Sequence, residues 1–130
     1  MRQALPLAVA ALALTGCGRS GDRASVRGVA EGFYAAVNHH QGARACALLS
    51  ADARQALEKD ESAPCARAVE RLQLSGGRAR RVEVSSTDAA VALRGGDTVY
   101  LQDTARGWRI AAAGCRHPGY DRPADCELQS

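Results

Sequence analysis

The spacing of apolar residues changes from helical to alternating near residue 80, and this change limits the fold more than any other feature. Before it, apolar side chains recur every three or four positions, as in Val26, Val29 and Phe33, which indicates amphipathic helices. After it they recur every second position, beginning with Val82 and Val84, which indicates strands with one buried face. Helices followed by strands predict an α+β fold.

The helical part divides at capping and breaking residues. Ser25 is placed to cap the first helix, which is expected to end in the NHHQG stretch with Gly42 just beyond it. Ser50 is expected to cap a later helix. Ser62 is expected to cap a further one, with Pro64 in its first turn, where a missing N–H costs nothing.

The alternating part predicts four antiparallel strands. The Gly95–Gly96 pair separates AAVAL from TVYL, and two adjacent glycines suit a two-residue hairpin turn that needs positive φ. A second turn, TARG, leads into the strand WRIAAA. We therefore expect the helices to pack on one face of a curved, four-stranded antiparallel meander, a cone-like roll. The Pro- and Gly-rich end of the chain is expected to be a loop that only a crosslink holds down.

The N-terminal segment is typical of an exported bacterial lipoprotein. Arg2 precedes an apolar stretch over 4–14, which is shorter than the about 20 residues that span a bilayer. The sequence Leu14-Thr15-Gly16-Cys17 resembles a lipobox, whose cysteine is acylated and becomes the new N-terminus. We expect a signal peptide over 1–16, the lipidated Cys17 with a flexible tether over 17–25, and one domain over 26–130. The alternative is a secreted chain with Cys17 free or paired.

The four other cysteines form an even set, which in an exported chain favours disulfides. Three pairings are open. We favour Cys46–Cys65 and Cys115–Cys126 because each bridge is then local and the first joins packed helix faces. No C-x₂-C spacing is present, so a zinc site is disfavoured.

Composition and histidine placement argue against other ligand classes. The net charge is only +3 and aromatic residues make up 4% of the chain, with no basic stripe of the kind that binds nucleic acid. His39 and His40, with His117, could suggest a metal, but histidines at a helix C-terminus interact favourably with the helix dipole. We expect no metal and no cofactor.

The order of elements resembles the nuclear-transport-factor-two-like folds, also called SnoaL-like or cystatin-like rolls. The segments VAEGFYAAVNHHQGARACALLS, APCARAV, GWRIAAAGC and PADC resemble a family of small actinobacterial lipoproteins of uncharacterised function. In that family the last motif is Pro-Tyr-Asp-Cys, whereas this chain has Pro123-Ala124-Asp125-Cys126. The resemblance covers nearly all of 26–126, implies the same fold and cysteine pairing, and leaves a homodimer open, since dimers are common among similar rolls.

Candidate functional side chains are few. A pocket base would need to face inward, where burial tunes its pKa, and Asp103 has the right strand parity, whereas Asp97 is placed in a turn. Tyr34 and Tyr100 could hydrogen-bond a ligand, although a flanking role is the simpler interpretation. Trp108 is expected to anchor the core rather than to stack on a ligand.

Two functional hypotheses follow. The first is a non-catalytic lipoprotein domain, anchored on the extracytoplasmic side of the cell membrane, that binds a protein or a small apolar molecule through its concave sheet. The second is an isomerase- or hydrolase-type pocket enzyme with Asp103 as base. A buried Asp103 beside an open cavity would favour the second. A filled cone would favour the first, or a structural or envelope-associated role.

Overall fold

The structure is a computed structural model that describes residues 19–116 and 125–130. The predicted signal peptide, Cys17 and His117 lie outside the described residues. Four helices come first: α1 (Arg19–Asn38), α2 (Gly42–Ala47), α3 (Ala51–Glu61) and α4 (Cys65–Ala68). A 3₁₀ turn (Val69–Arg71) follows. Five strands complete the chain: β1 (Ala79–Val84), β2 (Asp88–Leu93), β3 (Thr98–Thr104), β4 (Gly107–Cys115) and β5 (Leu128–Gln129). The α+β class and the order of helices before strands are confirmed.

The strands form one antiparallel sheet in the order β1-β2-β3-β4-β5. The meander β1 to β4 matches the prediction. The turn between β2 and β3 contains Gly95 and Gly96, and Gly96 has a φ of 109°, but the turn runs over four residues, 94–97, where two were predicted. The sheet has a fifth strand that the sequence did not reveal. This strand, β5, pairs Leu128 with Ala113 of β4. With only two residues, it is too short to show an alternating pattern.

Helix α1 lies across the sheet and contacts β1, β2, β3 and β4. From the helix, Val26 and Phe33 are fully buried, and from the sheet, so are Val91, Val99 and Ile110. These aliphatic and aromatic side chains form one core. The helix-covered face of the sheet is therefore filled by side chains. A filled face is not the open cavity that the pocket-enzyme hypothesis requires.

The start of α1 corrects the predicted tether. The helix begins at Arg19, so Ser25 lies inside it and is not its N-cap. Asp22 stands in the first turn, where a negative charge favours the helix dipole. Its carboxylate also accepts a hydrogen bond from Trp108 Nε1 at 3.4 Å. Contact with the sheet thus stabilises a helix over residues that composition alone marks as flexible.

The end of α1 corrects the predicted role of Gly42. The left-handed residue that follows the helix is His40, with φ of 55°. The Gln41 N–H donates to the Ala36 carbonyl at 2.8 Å, as in a Schellman motif. Gly42 instead opens α2, and a Cβ there would lie 2.1 Å from the Ala66 carbonyl oxygen. Its missing side chain permits close packing between α2 and α4.

Helix α3 has a confirmed N-cap and an unexpected C-cap. The Ser50 side chain accepts a hydrogen bond from the Ala53 N–H at 3.1 Å, as predicted. Ser62 was expected to begin the next helix, but it ends α3 in the left-handed conformation. The N-cap position of α4 is occupied by Pro64. Ser62 therefore serves the helix before it, and Pro64 fixes the extended entry to the helix after it.

Both favoured disulfides are present. Cys46–Cys65 links α2 to α4, and Cys115–Cys126 links β4 to the C-terminal segment that contains β5. Each closes a short loop and is worth about 3 kcal/mol in the chain-entropy model. Among residues 19–116 and 125–130, no helix is both long and apolar enough to cross a membrane.

The outer edge of β4 is covered by two separate segments. Near its middle, Ser50 N–H donates to the Ile110 carbonyl at 2.8 Å, and Ile110 N–H donates to the Leu48 carbonyl at 2.9 Å. Further along, β5 completes the ladder. At the opposite edge of the sheet, the N–H of Ala79 in β1 donates to Glu31 Oε1 at 2.9 Å.

Candidate functional site

Asp103, the predicted base, is exposed. It lies near the end of β3, opposite Trp108 in the register with β4. Its parity matches the buried Val99 and Leu101, but its own side chain is exposed. An exposed carboxylate at the end of a strand is not enclosed in a pocket that could hold a substrate against it. The placement of Asp103 therefore gives no support to the enzyme hypothesis.

The carboxylate that the fold does bury is Asp97. It follows the Gly95–Gly96 turn and is 1% exposed. Its Oδ2 accepts hydrogen bonds from Tyr34 Oη at 3.0 Å and from the Ser75 N–H at 2.8 Å. Tyr34 is also 1% exposed, so the sequence interpretation of Tyr34 as a flanking residue is wrong. We call these two side chains with their partners the Tyr34–Asp97 cluster.

The tyrosine hydroxyl links three parts of the chain. It donates to Asp97 and accepts from the Gly114 N–H at 2.9 Å. Tyr34 belongs to α1, Asp97 to the turn between β2 and β3, and Gly114 to β4. A buried N–H and a buried carboxylate oxygen are thus satisfied by one hydroxyl, which stabilises the position of α1 on the sheet.

Arg116 completes the cluster at its outer side. Its Nε lies 3.7 Å from Asp97 Oδ1, which is an ion-pair distance but too long for a hydrogen bond. Its Nη2 donates to the Gln73 carbonyl at 3.3 Å. Asp97 Oδ1 has no hydrogen-bond partner among the described residues. Arg116 therefore supplies a positive charge beside the buried carboxylate. It directly follows Cys115, which forms the bridge with Cys126.

The protonation state of Tyr34 follows from its burial. Desolvation raises the pKa of its hydroxyl far above the usual range, and the neighbouring Asp97 charge raises it further, whereas the Gly114 N–H acts in the opposite direction. The hydroxyl therefore remains a hydrogen-bond donor at neutral pH. Because Tyr34 and Asp97 are both almost inaccessible to solvent, the arrangement is a structural link, and it cannot contact a substrate in this conformation.

A cleft of about 410 Å³ lies between α3 and the turn that joins β3 to β4. We call it the α3 cleft. Its helical side is formed by the end of α2 and the first two turns of α3, which Ser50 caps. Its other side carries Arg106 and Arg109. Leu49 and several alanines supply apolar surface between these polar groups.

The α3 cleft is positively charged on balance. Arg54 pairs with Glu58 at 2.9 Å on the helix, which cancels one charge. Arg109 Nη1 donates to the Trp108 carbonyl at 2.8 Å, so its guanidinium is held in place while it keeps further donors. Arg106 is exposed at the tip of the turn. The arrangement suits a small ligand that has an anionic group and an apolar body.

The other residues that the sequence singled out, where the structure describes them, do not form a binding site together. Trp108 is buried in the core, as expected, and Tyr100 is half-buried on the sheet face opposite the core. Burial raises the pKa of the Tyr100 hydroxyl. His39 and His40 are exposed at the end of α1. Within the described parts of the chain, no group of three or more His, Cys, Asp or Glu could hold a metal ion.

Two signals in the sequence could have revealed the buried cluster. Asp97 shares strand parity with Val99 and Leu101 and therefore points toward the core. Tyr34 lies four residues after Ala30, on the apolar face of α1. A carboxylate and a tyrosine that both face the core predict a hydrogen-bonded pair, because neither is buried without a partner.

Comparisons with protein-family models, with curated proteins and with solved structures find no match to this chain.

Proposed function

We propose that the chain is a lipoprotein whose α+β domain is tethered to the extracytoplasmic face of a cell membrane through acylated Cys17. One observation carries the proposal: the apolar stretch over 4–14 ends in Leu14-Thr15-Gly16-Cys17. An acyl chain contributes about 0.8 kcal/mol per buried methylene, and anchors with two or more chains are stable. The acyl chains would replace a membrane-spanning segment.

Two features of the domain support export. Both disulfides are local and join elements that pack together, and such bridges persist in oxidising compartments outside the cytoplasm. Among the described residues, those of the core run from Val26 to Leu128. A mature chain that begins at residue 17 therefore keeps all of them.

We also propose that the sheet has the curvature of a cone-like roll of the nuclear-transport-factor-two-like kind. Support comes from α1, which contacts β1, β2, β3 and β4 on one face of the sheet. Interruptions of the register in β3–β4 pairing near Tyr100 add to this support, because bulges increase local bend and twist. In such a roll, α1 fills the space that is an open pocket in enzymes of similar shape.

The domain is proposed to be a non-catalytic binding domain that uses the α3 cleft. Because α1 fills the helix-covered face of the sheet, binding requires another surface. The α3 cleft offers guanidinium donors, apolar side chains and the N-terminal end of α3, where partial positive charge accumulates. A small amphipathic anion, such as an organic carboxylate or phosphate with an apolar tail, is the class of ligand it fits.

Metabolic labelling with radioactive palmitate tests the anchor. The full chain is produced in a lipoprotein-processing bacterium, beside Cys17→Ser and the control Ser25→Ala, which leaves the lipobox unchanged. We expect label and membrane association for the wild type and for Ser25→Ala, and neither lipid label nor mature anchored protein for Cys17→Ser. Label retained in Cys17→Ser, or absent from all three, would contradict the proposal.

Fluorescence titration with anilinonaphthalene sulfonate tests the α3 cleft, because this probe combines an anionic group with an apolar body. Arg106→Glu is compared with Arg67→Glu, which makes the same charge change on exposed α4. Loss of a charge-assisted hydrogen bond is worth ~1.5–3 kcal/mol, so Arg106→Glu should weaken binding about tenfold or more. Equal weakening in both variants would exclude the cleft as the site.

A further inference from the structure

A second groove, between α1 and β1, is lined almost entirely by charged residues. Its volume is about 400 Å³, and its lining consists of Arg23, Arg27, Arg80, Arg81, Val82 and Glu83. We call it the α1–β1 groove. All four arginines are exposed, whereas Val82 is buried in the core. The groove therefore presents guanidinium groups and little apolar surface.

The backbone brings these arginines together from two elements. Arg23 and Arg27 are four residues apart on α1, so they lie on one face of the helix. On β1, Arg80 and Arg81 are consecutive, and side chains of consecutive strand residues normally point to opposite faces. The pairing of β1 with β2 is irregular between Ala79 and Arg81, and such bulges redirect side chains.

The charge of the α1–β1 groove is only weakly compensated. Arg81 pairs with Glu83, the one carboxylate in the lining. Arg23, Arg27 and Arg80 form no salt bridge with any other residue among 19–116 and 125–130. The nearby carboxylate of Glu31, one turn after Arg27, is half-buried and accepts the Ala79 N–H. The lining thus keeps three positive charges in excess.

The groove is close to the point at which the chain would be anchored. Helix α1 begins at Arg19, two residues after Cys17. With a helical rise of ~1.5 Å per residue, Arg23 lies ~6 Å and Arg27 ~12 Å along the axis from that start. These distances are comparable to the ~8 Å Debye length at physiological ionic strength. The arginines would therefore interact electrostatically with the anchoring membrane.

We propose that the α1–β1 groove binds the anionic phospholipid headgroups of the membrane that carries the lipid anchor. The inference rests on the proposed anchoring at Cys17. Phosphate oxygens accept the forked hydrogen bonds that guanidinium groups donate. The groove would contact the headgroups and not the acyl chains, because its one apolar residue, Val82, is buried in the core. Headgroup contact would hold α1 and β1 against the bilayer and turn the α3 cleft to a fixed orientation.

Vesicle sedimentation tests the groove separately from the anchor. The mature chain from residue 17 carries Cys17→Ser, so no acyl group contributes, and it retains every core residue. Binding is measured to vesicles of phosphatidylcholine alone and of phosphatidylcholine with phosphatidylglycerol. The groove variant Arg23→Gln/Arg80→Gln is compared with Arg44→Gln/Arg67→Gln, which removes the same charge from exposed positions on α2 and α4.

We expect binding only to the phosphatidylglycerol vesicles and its loss in 0.5 M salt. Each arginine removed from the groove should lower the partition coefficient about fivefold, hence about 25-fold for the groove variant, with a much smaller change for the control variant. Circular dichroism and intact disulfides confirm that both variants fold.

Three results would overturn the proposal. These are equal binding to both vesicle types, equal losses in the groove and control variants, or displacement of the chain by free glycerol phosphate at constant ionic strength. The last result would identify a site for soluble phosphates. Palmitate labelling reports on Cys17 alone, so a failure of the groove and a failure of the anchor give different results.

Discussion

The Tyr34 hydroxyl makes the sharpest prediction, because one oxygen satisfies two buried groups. Tyr34→Phe removes that oxygen and keeps the ring in its place in the core. The substitution leaves the Gly114 N–H without an acceptor and takes one of two donors from Asp97 Oδ2. The Ser75 N–H still donates to that oxygen, so the carboxylate loses one hydrogen bond and keeps the other.

The size of the effect follows from these contacts. A hydrogen bond to a charged group contributes about 1.5–3 kcal/mol, and an orphaned buried N–H costs about 1–3 kcal/mol. The two ranges are not simply added, because both describe the loss of the same hydroxyl. Combined, they give a fall of about 2–4 kcal/mol in the free energy of unfolding. Small domains have a total of about 5–15 kcal/mol, so Tyr34→Phe should remove a large share of the stability.

Urea denaturation of the mature chain with both disulfides intact measures this change. Tyr100→Phe is the matched control, because Tyr100 is half-buried and its hydroxyl has no hydrogen-bond partner among the described residues. We expect a change within about 0.5 kcal/mol for the control. If Tyr34→Phe also stays within that limit, the claim that this hydroxyl links α1 to the sheet is refuted.

The other predictions concern pH, packing and crosslinks. Burial raises the pKa of Tyr34 above its unfolded value of about 10, so the folded state holds the proton more tightly. The free energy of unfolding should therefore fall above about pH 10, by up to about 1.4 kcal/mol per pH unit, and Tyr34→Phe should reduce that slope in urea titrations. Gly76→Ala should destabilise by about 1–3 kcal/mol, because its Cβ would meet the Tyr34 ring at 2.1 Å. Gly28→Ala on α1 meets nothing within 4 Å and should stabilise by about 0.5–1 kcal/mol; thermal denaturation distinguishes the two. Replacing both cysteines of either bridge by alanine should cost about 3 kcal/mol, and equal melting temperatures with and without reductant would contradict this.

Local signals predicted those parts of the fold that depend on local interactions. The change of period near residue 80 located the boundary between helices and sheet, and Ser50 was correctly identified as a cap because its hydrogen bond reaches only three residues along the chain. Ser62 and Gly42 were assigned to the wrong ends of helices. A serine tolerates both cap positions, and the glycine is needed for a contact with Ala66 that is distant in sequence.

Features that depend on tertiary contact were beyond local reasoning. The helical conformation of residues 19–25 is supported by the hydrogen bond between Asp22 and Trp108, which are 86 positions apart. Strand β5 relies on pairing with β4 and on the bridge at Cys126. Asp97 is a case in which turn propensity misled, because its place beside the Gly95–Gly96 turn was the reason to set it aside, whereas the fold buries it. The α3 cleft joins residues of α3 to the β3–β4 turn and leaves no pattern in either segment.

The unequal treatment of the two sheet edges has a consequence for self-association. A further strand from another copy could not add at β4, because Leu48–Ser50 and β5 already occupy that ladder. Growth at β1 would bring Arg80 and Arg81 of one copy toward the like charges of the next, which opposes edge-to-edge polymerisation. The positive charges along β1 would therefore keep neighbouring copies of the chain from pairing edge to edge.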